Sequence, residues 1–426
     1  MRFGNISRKQ SQERGQTIAL VALTIVTLLA MAALAIDVVT LYVAKGEVQR
    51  AADAAALVAA KGFVDSGVTS DPANTSLQTL AENMATAGIN AILPQNKVAG
   101  AAPVLVGTPS FDFTTYPGNP QVAVTLQRTG LPIFFARIWR RAAATVTASA
   151  KAEAYNPSNS QTATGNYIPV TLKNIKPLLI ANQEGTNKFI TDASGGVVTN
   201  QISQDITLVP GCQSGGGGPS IPCLVTGMTL GQGQLWPTVS FWPAIVSSAT
   251  STLCPSCEGS SDFEQGIECG QSQLNSTGSA YSCGGTTTNA YVDTTMTRGN
   301  VRNLGRAGAK CLVNDPANDT IDSTNFPSGP MQITAHSGPF SGQLASTSRS
   351  IAAFPIIDNS TAITIPPGDV KIIGFLQGFI ETVTPGGSPL QITVKILNIA
   401  GCGNNPGTTS VQAGNTSPIP VRLISQ

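Results

Sequence analysis

The chain has 426 residues, more than one compact domain usually needs, and 41% of them are hydrophobic, which excludes global disorder. Charged residues make up only 11% and the net charge is +1, which excludes nucleic acid as a partner held by a basic surface. Forty-three glycines and 28 prolines beside so few charges point to turns and short strands rather than salt-bridged helices.

The first 17 residues carry Arg2, Arg8, Lys9 and Arg14 against the single acid Glu13. Residues 18–36 then run without a charge, and only Thr24 and Thr27 are polar. A helix of that length spans nearly 30 Å, the thickness of the hydrocarbon core. Its Leu, Ile and Val residues favour insertion by roughly 3–6 kcal/mol. The basic flank comes first, so the N-terminus is expected in the cytoplasm and the bulk of the chain outside it. The competing reading is a cleaved signal peptide, because Ala30-Met31-Ala32 and Ala33-Leu34-Ala35 both offer small-x-small sites.

The helix is expected to continue through 37–62, where Ala51, Ala52, Ala54, Ala55, Ala56, Ala59 and Ala60 are strong helix formers. Lys45, Glu47, Arg50, Asp53 and Lys61 form a solvated face, and Leu41, Val48, Ala52, Ala55 and Ala59 a small apolar one. That stripe permits either of two things: helix-mediated association with another chain, or packing on the protein's own domain.

Arg14-Gly15-Gln16, the apolar run, Ala35-Ile36-Asp37-Val38, Leu41-Tyr42-Val43-Ala44 and the stretch from Gln49 to Leu57 together resemble the N-terminal segment of TadE/TadG-like proteins. These belong to the tight-adherence (Flp) pilus machinery of bacteria. A second stretch, 131–137 followed by 146–150, is similar to the segment that closes the first module of such proteins. The resemblance implies a bitopic envelope protein whose partners are the membrane and pilus or envelope assembly proteins. Members cut by a prepilin peptidase carry a Glu five residues after the cleavage Gly, and here Leu20 stands there, which implies an uncleaved anchor. Some members carry a von Willebrand A domain with a metal site. The nearest fragment here begins at Asp192 and lacks the second Ser, so no such site is expected.

Beyond the helix, 63–76 reads as a hinge and 77–93 as a helix ended by Pro94. Strands are expected at 104–106, 111–113, 122–126 and 145–153, with a short helix at 133–140. This gives a small α+β module over 63–155. A Ser/Thr/Asn-rich linker at 156–166 precedes a β-rich extracytoplasmic domain over 167–426, with strands at 168–172, 201–209, 351–357, 370–379 and 390–397. The fold class is therefore α+β.

All eight cysteines lie in that distal region: Cys212, Cys223, Cys254, Cys257, Cys269, Cys283, Cys311 and Cys402. An even number beyond a membrane span points to disulfides in an oxidising compartment. Cys212 and Cys223 are expected to pair across the glycine loop, at about 3 kcal/mol in the chain-entropy model. Cys254-Pro255-Ser256-Cys257 has CxxC spacing but lacks the strand and helix of a thioredoxin-like unit. A zinc site from Cys254, Cys257, Cys269 and Cys283 fits no strong spacing. His336 is the sole histidine and sits in a turn. Asp315, Asp319 and Asp322 lack EF-hand spacing. Trp236 and Trp242 suit packing beneath loops better than an exposed patch. No catalytic site, cofactor or metal is expected. The reading is a non-enzymatic, membrane-anchored envelope protein. The alternatives are a tethered adhesin unrelated to pili and an envelope thiol oxidoreductase using Cys254 and Cys257.

Overall fold

The computed structural model describes residues 9–424 except 117, 134–142, 160–169, 173, 185–186, 189, 193–195, 214–217, 225–229, 231–235, 247–256, 258, 260, 271–289, 315–316, 361–368, 403–410 and 413–415. The architecture is α+β. It opens with α1 (Lys9–Ser66), a single helix of 58 residues and about 87 Å. No proline interrupts it, and the alanine-rich second half sustains it. The region expected as a hinge is not one. Four polar residues there, Ser66, Thr69, Ser70 and Asp71, are buried. Ser66 Oγ donates to the Phe63 carbonyl and accepts from the Val68 amide, and such pairing is what lets polar turn residues go inside.

Helix α2 (Thr75–Ile92) starts where Asn74 Oδ1 accepts from the Ser76 and Leu77 amides. It stops before Pro94, as expected from a residue with no N–H to donate. It lies against α1 at close range. A Cβ on Gly62 would stand 2.8 Å from the Ala85 nitrogen, and one on Gly88 would stand 2.7 Å from Val58 Cγ1. Small residues at these crossing points are therefore a steric requirement.

Strands β1 (Val104–Leu105) and β2 (Ser110–Asp112) both pair with β3 (Gln121–Pro132), which pairs with β4 (Ala143–Ala154). The sheet covers the alanine stripe of α1. Ala44, Val48, Ala51, Ala52, Ala55, Ala56, Ala59 and Ala60 are at most 2% exposed. Phe63 meets Phe111 and Phe113 edge-on, with centroids at 6.1 and 5.4 Å. The stripe is thus used inside the chain, which removes it as the surface for association with another chain. The short helix expected at 133–140 falls almost wholly outside the described residues.

The distal region continues with β5 (Val170–Thr171), β6 (Leu178–Ala181), β7 (Gln183–Glu184), β8 (Asn187–Lys188), β9 (Asp205–Pro210) and β10 (Thr238–Pro243). Helix α3 (Asp262–Cys269), β11 (Ala290–Tyr291) and helix α4 (Arg298–Val313) follow. Then come β12 (Thr320–Asp322), β13 (Gln332–Thr334), β14 (Leu344–Ala345), β15 (Ile351–Ile357) and β16 (Asp369–Val370). The chain closes with β17 (Ile372–Val383), β18 (Ile392–Gly401), β19 (Val411–Gln412) and β20 (Val421–Ile424).

Six of these strands close into a barrel in the order β10-β6-β15-β17-β18-β9, with β9 returning to β10. The β9–β10 and β6–β15 pairs are parallel and the others antiparallel. Strands β15, β17 and β18 are buried along nearly their whole length rather than on alternate residues, as strands covered on both faces must be. The register of β17 against β18 shifts at Gln377/Gly378. A Cβ on Gly378 would meet Val394 Cγ1 at 2.2 Å, so that crossing needs glycine.

The last strand does not belong to the barrel. β20 pairs antiparallel with β4, across the boundary expected at 156–166. Arg422 holds it there: Nε donates to the buried Glu153 at 2.6 Å, and the guanidinium lies 4.7 Å from the Tyr155 ring centroid.

Candidate functional site

Three features of this fold have functional weight: the N-terminal helix, a cleft where the two parts of the chain meet, and the cysteine-bearing side of the barrel.

Helix α1 changes character along its length. Ile18, Leu20, Leu23, Val26, Leu28, Leu29 and Met31 are each more than 60% exposed, whereas the alanine stripe further on is fully covered. Among the described residues this is the one helix long and apolar enough to cross a membrane, and its apolar window is not buried against the rest of the protein. Thr24 and Thr27 donate to the Val21 and Thr24 carbonyls, so neither hydroxyl is left unbonded on the apolar surface.

The second feature is a cleft of about 890 Å³ between α1, the β12–β14 sheet, the barrel and the segment leading into β20. Leu57, Val58 and Met84 give it an apolar floor. Gln377 and Asn398 face it from the barrel, where Asn398 Nδ2 donates to Gln377 Oε1 at 2.9 Å. Lys61 and Asp65, an exposed pair one helical turn apart, stand at its rim. The set is suited to contact, and the Ser348 hydroxyl that lines it is engaged by Asp319.

On the barrel, Cys212 is bonded to Cys223 and Cys257 to Cys311. The first bridge spans the glycine loop. The second ties the chain before α3 to α4, so the sulfur of Cys257 is joined to a residue 54 positions away rather than to Cys254. Cys269 and Cys402 are also disulfide-bonded. Cys254 and Cys283 lie outside the described residues. A Cβ on Gly211 would sit 2.3 Å from the Trp242 indole, so glycine beside Cys212 lets that ring close over the backbone. Trp242 is buried and Trp236 half exposed, so the two do not form a shared surface patch.

Next to α3 a lysine is sealed inside. Lys176 is buried, and its ammonium donates to the Glu268 carbonyl oxygen at 3.2 Å. Burial pushes its pKa down to about 7, with the Glu268 carboxylate opposing. Burial likewise pushes Glu268 up, while the Gly259 amide pulls it down.

The remaining residues singled out by sequence have local roles. His336 is exposed; its amide donates to Asp319 Oδ1 at 3.0 Å. Asp319 Oδ2 accepts from Ser348 Oγ at 2.6 Å, and Asp322 Oδ1 accepts from Thr324. Asp315 lies outside the described residues. Asp192 Oδ1 accepts from the Gly196 amide. Among the described residues no group of three or more His, Cys, Asp or Glu side chains could hold a metal. The cleft itself was not foreseen from sequence, since its walls come from segments more than 300 residues apart.

Residues 15–62 match the family model described as putative Flp pilus-assembly TadE/G-like. The match takes in 48 of the 426 residues and lies wholly within α1. No curated protein and no solved structure matches the chain.

Proposed function

We propose that this chain is a non-enzymatic, single-pass envelope protein that serves assembly or anchoring of a tight-adherence (Flp) pilus. In this reading 1–17 stay in the cytoplasm, 18–36 cross the bacterial membrane, and everything from 37 onward is extracytoplasmic. The observation that carries it is the coincidence of the TadE/G-like segment with a helix whose first half is exposed and apolar and whose second half is the core of a folded module. Two further points support it. The basic residues precede the span, which favours a cytoplasmic N-terminus. The bridges Cys212–Cys223 and Cys257–Cys311 suit an oxidising compartment on the other side.

The distal barrel and the cleft beside it are the parts offered to pilus or envelope components. An in-frame deletion, complemented with the full chain, tests the reading. Loss of surface fibres with the fibre subunit still present in the cell supports it. Intact fibres with lost surface attachment would instead make the protein a tethered adhesin. Normal fibres and normal attachment would overturn both.

A further inference from the structure

The apolar surface of α1 outlasts its charge-free run. Asp37, the first charge after 18–36, is only 4% exposed. It shares one helix face with Ala33, Ala44 and Val48, all buried, as positions separated by whole turns must. The opposite face tells a different story. Val38, Val39, Tyr42 and Val43 are 57%, 61%, 80% and 53% exposed. The next charge there is the exposed Arg50.

Hydrogen bonds set the level of the sheet against this helix. Lys45 Nζ donates to the Thr147 carbonyl, and Gln49 Nε2 to the Ser149 carbonyl at 3.1 Å. From Lys45 back to Asp37 the helix descends about 12 Å. From Thr147 back to Ala143, the first described residue of β4, the strand descends about 14 Å. The module therefore flanks the helix down to the level of Asp37, on the Asp37 side. On the other side the apolar band continues unbroken from Ile18 to Val43, about 38 Å along the axis. That exceeds the hydrocarbon core by about 8 Å, roughly the depth of one headgroup layer.

We infer that the outer headgroup region of the lipid bilayer covers this face. The Val38–Val39–Tyr42–Val43 patch is a continuation of the spanning surface, with Tyr42 at the interface where an aromatic ring with a polar tip is favoured. The module flanking the helix at the level of Asp37 then rests directly on the membrane, with no free stalk beneath it. This rests on the anchored reading above.

The test places a photoreactive phenylalanine analogue singly at Leu28, Tyr42 or Phe340 in the full-length protein. All three side chains are at least 63% exposed, so each substitution leaves packing alone. The protein is illuminated in its native membranes and adducts are identified by mass. The expected result is lipid adducts at 42 within about threefold of those at 28, and at least about tenfold above those at 340. Lipid adducts at 28 but not at 42 would overturn the inference and leave the anchor standing. Protein adducts at 42 would overturn it in favour of a partner helix. An absence of lipid adducts at 28 would overturn the anchored reading, and this inference with it.

Discussion

Ser70 Oγ accepts from the amide of Ile399 at 2.9 Å and donates to the carbonyl of the same residue at 3.1 Å. One side chain in the turn after α1 thus satisfies both backbone groups of a residue in β18. Asn156 adds to this junction, its Nδ2 donating to the Thr69 and Ile399 carbonyls at 2.9 Å each. The barrel is therefore joined to the helix-bearing module by buried hydrogen bonds, while most of the linker expected at 156–166 lies outside the described residues.

Ser70→Ala takes the hydroxyl acceptor from the buried Ile399 amide, while the Ile399 carbonyl keeps Asn156 Nδ2. An unmet buried polar group costs about 1–3 kcal/mol. We expect a loss of that size, read as a lower urea midpoint with helix content unchanged. An unaltered midpoint would mean that water replaces the hydroxyl and that the junction is not dry.

Lys176 gives a pH signature. Its folded pKa of about 7 lies below its ordinary 10.5, so the unfolded chain binds more protons between those values. Stability then rises with pH through that window, and the full cost of burying the ammonium is present below about pH 7. In Lys176→Met the rise should flatten. Urea midpoints of both proteins at about pH 6.5, 8 and 9.5 check this. Parallel curves would show that Lys176 does not titrate there.

Cys311→Ser opens the bridge to Cys257. A closed loop of 54 residues is worth about 4 kcal/mol in the chain-entropy model. The variant should unfold at markedly lower denaturant in the absence of reductant, and its far-ultraviolet spectrum should stay native. Equal midpoints would indicate that the packing of α3 on α4 suffices alone.

Much of this was legible in the sequence where the signal is local. The unbroken apolar and alanine runs define α1, Asn74 and Pro94 bracket α2, and β15 has the bounds that its apolar run suggests. Helices α3 and α4 lie within a region whose composition suggests strands, although each carries a helical signal. Ser261 caps the Glu264 amide, and Thr297 caps that of Asn300. Val301, Leu304, Gly308 and Leu312 recur at helical spacing. Barrel closure and the return of β20 to β4 depend on pairings between distant segments, which no local pattern encodes. The cleft follows from those pairings and was equally hidden. The fate of the alanine stripe was undecided for a related reason: small residues fit a partner helix or the chain's own sheet equally well, and only the position of β3 and β4 decides.

The measurement that tests the central claim most directly is the intact mass and N-terminal peptide of the protein recovered from carbonate-washed membranes. The account predicts that the protein resists extraction and that a peptide spanning 18–36 is present and uncut. Release by carbonate, with a new N-terminus after Ala32 or Ala35, would make it a secreted protein and remove the anchor. A chain beginning at Gln16 would mean prepilin-type processing despite Leu20, and would contradict the uncleaved anchor.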